Sequence, residues 1–303
     1  MWTEEELLID LPPGVLAVND ISAMDDERAV AVGSFTEQRE KRPLILERDE
    51  NGWKRRELTD VECGELISVA ISAPDDAVAL CETPTQFLGY RFDGATWSPF
   101  RNPLELLAPM MSWFNLSAAG PGSYLIVGGW IPEWRAVLLE WTGNRFSVVP
   151  GAWNTIYIYE VAAVEGELFA ASCGAHMPEC VIFRVSEPEW IEEALVPGLV
   201  TGFSRSPGGQ WYASAHAGNR FSILRRIDSR WIPLLGAPDA DTLELGQFND
   251  IDAPRDDLVV AVGEKYTDRH RSSAAMYDGR TWRTLDAITG IGSLEWLAVS
   301  YVR

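Results

Sequence analysis

The sequence predicts an all-β chain made of one four-stranded antiparallel unit repeated along its length, and three observations predict it. First, a turn followed by an aromatic residue recurs as Asn51-Gly52-Trp53, Asp93-Gly94-Ala95-Thr96-Trp97, Thr142-Gly143-Asn144-Arg145-Phe146, Val185…Trp190, Asp228-Ser229-Arg230-Trp231 and Asp278-Gly279-Arg280-Thr281-Trp282. The aromatic positions 53, 97, 146, 190, 231 and 282 are separated by 44, 49, 44, 41 and 51 residues. Second, the short apolar runs between them either alternate with polar residues or are unbroken, as half-buried and doubly buried strands do. Third, no segment carries a helical period of useful length. Repeats of about 40–50 residues with four strands each are the mark of β-propeller blades.

The strands follow in order. The first two of each unit are Asn19–Ala23 with Ala29–Gly33, Val69–Ala73 with Ala77–Cys81, and Asn115–Ala119 with Tyr124–Gly128. Next come Glu160–Val164 with Leu168–Cys173, Gly202–Ser206 with Gln210–Ala215, and Phe248–Ala253 with Leu258–Gly263. Small Ser and Ala residues in the first strands suit a crowded inner position where blades converge. The recurring tryptophans, each burying a large aromatic area, are expected in the core between blades. At the ends, Leu294–Ser300 reads as a further first strand and Met1-Trp2-Thr3 as a lone fourth strand. Pairing of the two termini within one blade would remove exposed edges. The expectation is a single domain over 1–303, a propeller of six or a reduced seven blades closed in that way.

The pattern NDIxAxxxDxxxAVG, followed by an LxxxDGxxW-type segment, resembles the repeats of bacterial β-propellers related to the Kelch, sialidase and WD-type superfamilies. The resemblance covers nearly the whole chain and implies the architecture. Asp278-Gly279-Arg280-Thr281-Trp282 is close to a sialidase Asp-box but lacks the residue between Asp and Gly. No paired-glycine Kelch signature recurs at the Gly128-Gly129 position of the other copies, and no WD dipeptide ends a strand, so no catalytic residue of those families is carried over.

Charge narrows the functional classes. Asp and Glu number 45 against 25 Lys and Arg, a net charge of −20. Such a surface repels nucleic acid and anionic lipid and attracts basic partners. The acidic start Met-Trp-Thr-Glu-Glu-Glu lacks the basic and apolar regions of a secretory signal, so a cytoplasmic location is expected. Four cysteines in a chain this long do not make a disulfide framework, which agrees with a reducing compartment.

Catalytic motifs are sparse. Cys173-Gly-Ala-His176-Met-Pro-Glu-Cys180 places three soft ligands within eight positions. A closed zinc site needs a fourth, and neither Cys63 nor Cys81 has a sequence reason to be near. Two small core thiols flanking a hairpin is the simpler reading, and an opposed Cys173–Cys180 pair could also oxidise in vitro. No metal and no cofactor is expected. The histidines are His176, His216 and His270, and neither a Gly-x-Ser-x-Gly elbow nor an HExxH is present. The pairs Asp25-Asp26, Asp75-Asp76 and Asp256-Asp257 fall in turns between first and second strands, where solvated turn carboxylates are expected.

Binding features concentrate on one face. There the third unit supplies Trp130 and Trp134 from one loop, Trp113 from its approach loop, and Trp153 and Tyr157 from the next. Asp20, Glu160, Asp250 and Glu295 begin first strands and are expected to ring the central opening of the same face. Aromatic anchors beside an acidic rim describe a docking surface for a basic protein. The expected function is a non-enzymatic protein-binding propeller, most concretely an immunity protein neutralising a basic toxin domain. Carbohydrate binding or hydrolysis at the central opening, or a scaffold role in an assembly, are the alternatives.

Overall fold

The computed structural model describes residues 16–24, 28–58, 63–81, 88–101, 111–130, 135–143, 145–150, 157–173, 179–186, 189–217, 220–234, 245–265 and 268–285. They form six four-stranded antiparallel sheets in a ring, a six-bladed β-propeller. Blade 1 holds β1 (Leu16–Ala23), β2 (Ala29–Glu37), β3 (Glu40–Asp49) and β4 (Gly52–Arg56). Blade 2 holds β5 (Leu66–Ala73), β6 (Asp76–Cys81), β7 (Leu88–Phe92) and β8 (Trp97–Arg101). Blade 3 holds β9 (Met111–Gly120), β10 (Ser123–Trp130), β11 (Arg135–Thr142) and β12 (Arg145–Val148). Blade 4 holds β13 (Ile158–Val164), β14 (Glu167–Cys173), β15 (Glu179–Ser186) and β16 (Glu189–Pro197). Blade 5 holds β17 (Leu199–Arg205), β18 (Trp211–Ala217), β19 (Arg220–Ile227) and β20 (Arg230–Pro233). Blade 6 holds β21 (Leu245–Arg255), β22 (Leu258–Lys265), β23 (Asp268–Tyr277) and β24 (Trp282–Leu285). Every element among the described residues is a strand. The proposed terminal strands around Trp2 and Trp296 lie outside them.

Unbroken apolar runs become second strands because both faces of a blade are covered by neighbours. Ala29-Val30-Ala31-Val32 of β2 is buried throughout. Between blades 1 and 2, Val32 and Ile45 pack with Leu66, Val69 and Tyr90. Between blades 4 and 5, Phe169 and Ile182 meet Trp211 and Leu224. The repeated aromatic lands where the sequence places it, in each fourth strand and against the inter-blade core. Trp97 and Trp231 are buried there, and Trp53, Phe146, Trp190 and Trp282 are partly so. Its indole often bonds the preceding blade: Trp97 Nε1 donates to Glu47 at 2.5 Å and Trp190 Nε1 to the Pro150 carbonyl at 2.7 Å.

The turns obey local chemistry. Asp93 Oδ1 accepts from the Ala95 and Thr96 amides, and Asp278 Oδ1 from those of Arg280 and Thr281. Gly94 and Gly279, at φ +90 and +85, follow each aspartate in the left-handed region that glycine adopts without strain. One turn carboxylate departs from the solvated expectation. Asp76 is buried, bonded by Ser72, by Tyr124 of blade 3 at 2.6 Å and by Arg91 at 2.9 Å. Burial raises its pKa, but those donors outweigh burial and hold it below the ordinary value.

Candidate functional site

A recurring irregularity builds the central channel. At one shared phase of the repeat each first strand skips a residue in its pairing with the second: Asn19, Ile67, Phe114, Tyr159, Thr201 and Asn249. A β-bulge of this kind bends the strand and re-aims the side chain that follows. Those following residues are Asp20, Ser68, Asn115, Glu160, Gly202 and Asp250, one per blade. The second-strand residue facing the position just before each bulge is always small: Gly33, Cys81, Gly128, Ser172, Ala215 and Gly263. At Gly33 the reason is explicit, since a Cβ would stand 2.0 Å from the Ala17 carbonyl oxygen.

The carboxylates are tied into this wall. Asp20 Oδ1 accepts from its own Ile21 amide at 2.7 Å, while its Oδ2 accepts from Ser68 Oγ and the Val69 amide of blade 2, both at 2.7 Å. Glu160 accepts from the Val161 amide at 3.2 Å and from Asn115 Nδ2 of blade 3 at 2.7 Å. Asp250 accepts from Ile251 at 2.8 Å. Asp252 accepts from Ser204 Oγ of blade 5 at 2.8 Å. Blade 5 has glycine at the ring position because Asp250 fills the space, and a Cβ on Gly202 would lie 2.7 Å from Asp250 Oδ1. Gly202→Ala is therefore expected to cost about 2 kcal/mol by forcing blades 5 and 6 apart, read by urea unfolding. A loss below about 0.5 kcal/mol would show that the carboxylate moves aside freely.

All six first strands contribute to one cavity of about 240 Å³ on the axis, lined by Asp20, Asn115, Glu160, Ser204, Asp250 and Asp252 among others. Four carboxylates converge there, and no Lys, Arg or His is among its described lining residues. Electrostatics follow from that imbalance. Burial pushes the Asp20 carboxyl up to about 6 despite its hydrogen bonds. Glu160 rises well above the usual carboxylate range, through burial first and then the negative charges of Asp250 and Asp20.

The sequence reading placed Asp20, Glu160 and Asp250 around the central opening, and they line its cavity. They do not form the exposed rim that the sequence predicts: Asp20 and Glu160 are each 7% exposed, because the bulge turns them into the inter-blade seams. Ser68, Asn115 and Gly202 carry no common residue-type signal in the sequence because they share a position but not a chemistry. Aligning the triplets Asn-Asp-Ile, Ile-Ser-Val, Phe-Asn-Leu, Tyr-Glu-Val, Thr-Gly-Phe and Asn-Asp-Ile would have revealed them.

The aromatic set is rearranged more. Tyr157 is buried, with its ring 5.6 Å from that of Tyr159 and its carbonyl accepting from the Cys173 amide, so it is no exposed anchor. Trp113 and Trp130 sit in strands rather than loops, because pairing in blade 3 runs on until Trp130 stands opposite Met111. Trp134, Trp153, His176 and Glu295 lie outside the described residues. Cys173 and Cys180 are buried core residues flanking the β14–β15 hairpin. Cys173 and Cys180 are joined to each other and Cys63 to Cys81, leaving no free cysteine. The opposed Cys173–Cys180 pair lies across the β14–β15 hairpin that the sequence predicts, whereas the pairing of Cys63 with Cys81 has no signal in the sequence. Among the described residues no group of three or more His, Cys, Asp or Glu is placed to hold a metal ion.

No protein-family model matches the chain, and no curated protein matches it in sequence. Among solved structures it is similar to YCF48 bound to D1 peptide, at 15% identity and a TM-score of 0.58 over 90% of this chain and 83% of that one. It is similar to a streptogramin B lyase at 11% identity and a TM-score of 0.59, over 88% of this chain and 82% of the lyase. The PQQ-bound aldose sugar dehydrogenase of Streptomyces coelicolor matches at 12% identity and a TM-score of 0.53, covering 82% and 88% of the two chains. At these identities the shared property is the propeller fold.

Proposed function

We propose that this propeller is a non-enzymatic binding protein that receives a basic segment of a protein partner at its acidic channel. The observation that carries this reading is the cavity of four carboxylates from blades 1, 4 and 6 with no cation among its described lining residues. A lysine or arginine of a partner would supply the missing charge, and the net charge of −20 would speed its arrival. YCF48, a propeller of similar shape, has been solved with a peptide bound, while the lyase and the dehydrogenase show that the same fold also serves enzymes. In the most concrete form the partner is a basic toxin domain and this chain its immunity protein. Trp113, Trp130, Trp134 and Trp153 would then supply the contacts that slow release.

Titration with a penta-arginine peptide at low and physiological salt tests the reading. Binding should weaken as salt rises, and Asp250→Asn with Asp252→Asn should weaken it by about tenfold at low salt. The variant's thermal unfolding serves as the control. Equal binding of a penta-glutamate peptide, or binding indifferent to the double substitution, would refute the proposed site.

A further inference from the structure

We infer that the four cysteines act as two structural disulfides bracing the same end of blades 2 and 4, and that the protein matures in an oxidising compartment rather than the reducing one expected from its sequence. This goes beyond the binding proposal and does not depend on it. Cys81 ends β6 and is joined to Cys63, just ahead of β5, with Cα atoms 6.1 Å apart. Cys173 ends β14 and is joined to Cys180 directly across the strand pair, with Cα atoms 4.2 Å apart. All four are at most 7% exposed. Both bonds therefore lie where second strands finish, the end of the blade at which first strands begin and the chain arrives from its neighbour.

Packing alone does not call for cysteine at Cys81. It occupies the small-residue position facing the bulge, which five other blades fill with Gly33, Gly128, Ser172, Ala215 and Gly263. Glycine, serine or alanine meets the space requirement there. What cysteine adds is the bond to Cys63, which pins the segment arriving from blade 1 onto blade 2. Cys173 and Cys180 likewise clamp the base of the β14–β15 hairpin. Two pairs, each within bridging distance and with no thiol left over, are the pattern of a chain that meets an oxidant.

The chemistry balances with an external disulfide, either glutathione disulfide or the disulfide of a protein oxidant. One cysteine thiolate attacks it, forming a mixed disulfide and releasing one thiol. The second cysteine thiolate then displaces the other sulfur. For each bond two protein S–H groups are oxidised and one external disulfide is reduced to two thiols.

The test is the thiol state of the full chain, trapped with acid and iodoacetamide in its native cells and again after production in a bacterial periplasm. The expected result in both is no alkylation without reduction, four alkyl groups after it, and peptide maps linking Cys63 to Cys81 and Cys173 to Cys180. Reduction should lower Tm by on the order of 5 °C. Cys63→Ala with Cys81→Ala should account for more of that loss than Cys173→Ala with Cys180→Ala, because their bond spans 18 residues rather than 7. Four alkylated cysteines in the periplasmic protein, or any other pairing, would overturn the disulfides. Free thiols in native cells beside bonded ones in the periplasm would overturn the compartment, and an unchanged Tm on reduction would overturn the bracing role.

Discussion

Replacing Glu193 by alanine is expected to cost about 3 kcal/mol of folding stability, although it lies on an outermost strand. Glu193 is the residue skipped where β15 pairs with β16, and that bulge turns its side chain inward until it is only 3% exposed. There it accepts from Arg226 Nε and Nη2, both at 2.8 Å, from Arg184 Nε at 3.0 Å and from Trp231 Nε1 at 3.2 Å. Arg226, 15% exposed, also stands over the Phe169 ring at 5.0 Å. Alanine would leave this guanidinium with Glu167 at 3.5 Å and the Trp231 indole with no carboxylate. The cost is set at the low end for a broken buried pair because Glu167 remains. Removing both charges in Glu193→Leu with Arg226→Met should cost roughly 1 kcal/mol, since no lone charge is then buried. Urea unfolding at neutral pH measures both. If Glu193→Ala costs less than the double variant, the network is not what joins blades 4 and 5.

Acidification from pH 7 towards pH 4 is expected to stabilise the protein, the reverse of the usual behaviour of paired carboxylates. Asp20 has a folded pKa of about 6 against 3.8 for an ordinary aspartate. Between those values the folded state holds the proton that the unfolded state has lost, so stability falls as pH rises through the window and then levels off. The difference corresponds to about 3 kcal/mol. Glu160 acts in the same direction, driven by its burial and by the charges of Asp250 and Asp20. The opposing group includes Asp278, held low by the Thr281 and Arg280 amides, and Asp256, held low by Ser206 and Gly208. Their contribution is present above the ordinary aspartate value and is lost only as pH falls below it, so the stability maximum should lie near pH 4–5. Chemical denaturation across that range reads the slope, and Asp20→Asn should flatten it, with a pH-independent loss added because the amide NH2 must face the Ile21 or the Ser68 and Val69 donors. A wild-type stability that climbs from pH 4 to pH 6 would mean that water reaches the channel carboxylates.

Much of the site was legible in one dimension because its causes are local. The Asp-Gly turns carry their own hydrogen bonds, so Asp278 and Gly279 announce a hairpin without reference to the fold. Asp20, Glu160 and Asp250 could be placed on one wall because each stands at the same phase of its repeat. Their burial could not be read. For Asp20 and Glu160 it depends on Ser68, Val69 and Asn115, which are 45 to 49 residues distant and in an adjoining blade. Tyr157 illustrates the same limit, since a tyrosine outside the repeat signature looks like a loop anchor until the chain folds over it.

By itself the sequence determined the repeating four-stranded unit, the order of its strands and the inter-blade place of the fourth-strand aromatics. Strand alternation, turn residues and aromatic burial act over a few residues and recur with the repeat. The tertiary structure alone decided that six blades form, that the bulges turn the carboxylates inward, and that Cys63 meets Cys81. Each of these depends on chain segments that meet only after folding, where distance along the chain says little about distance in space.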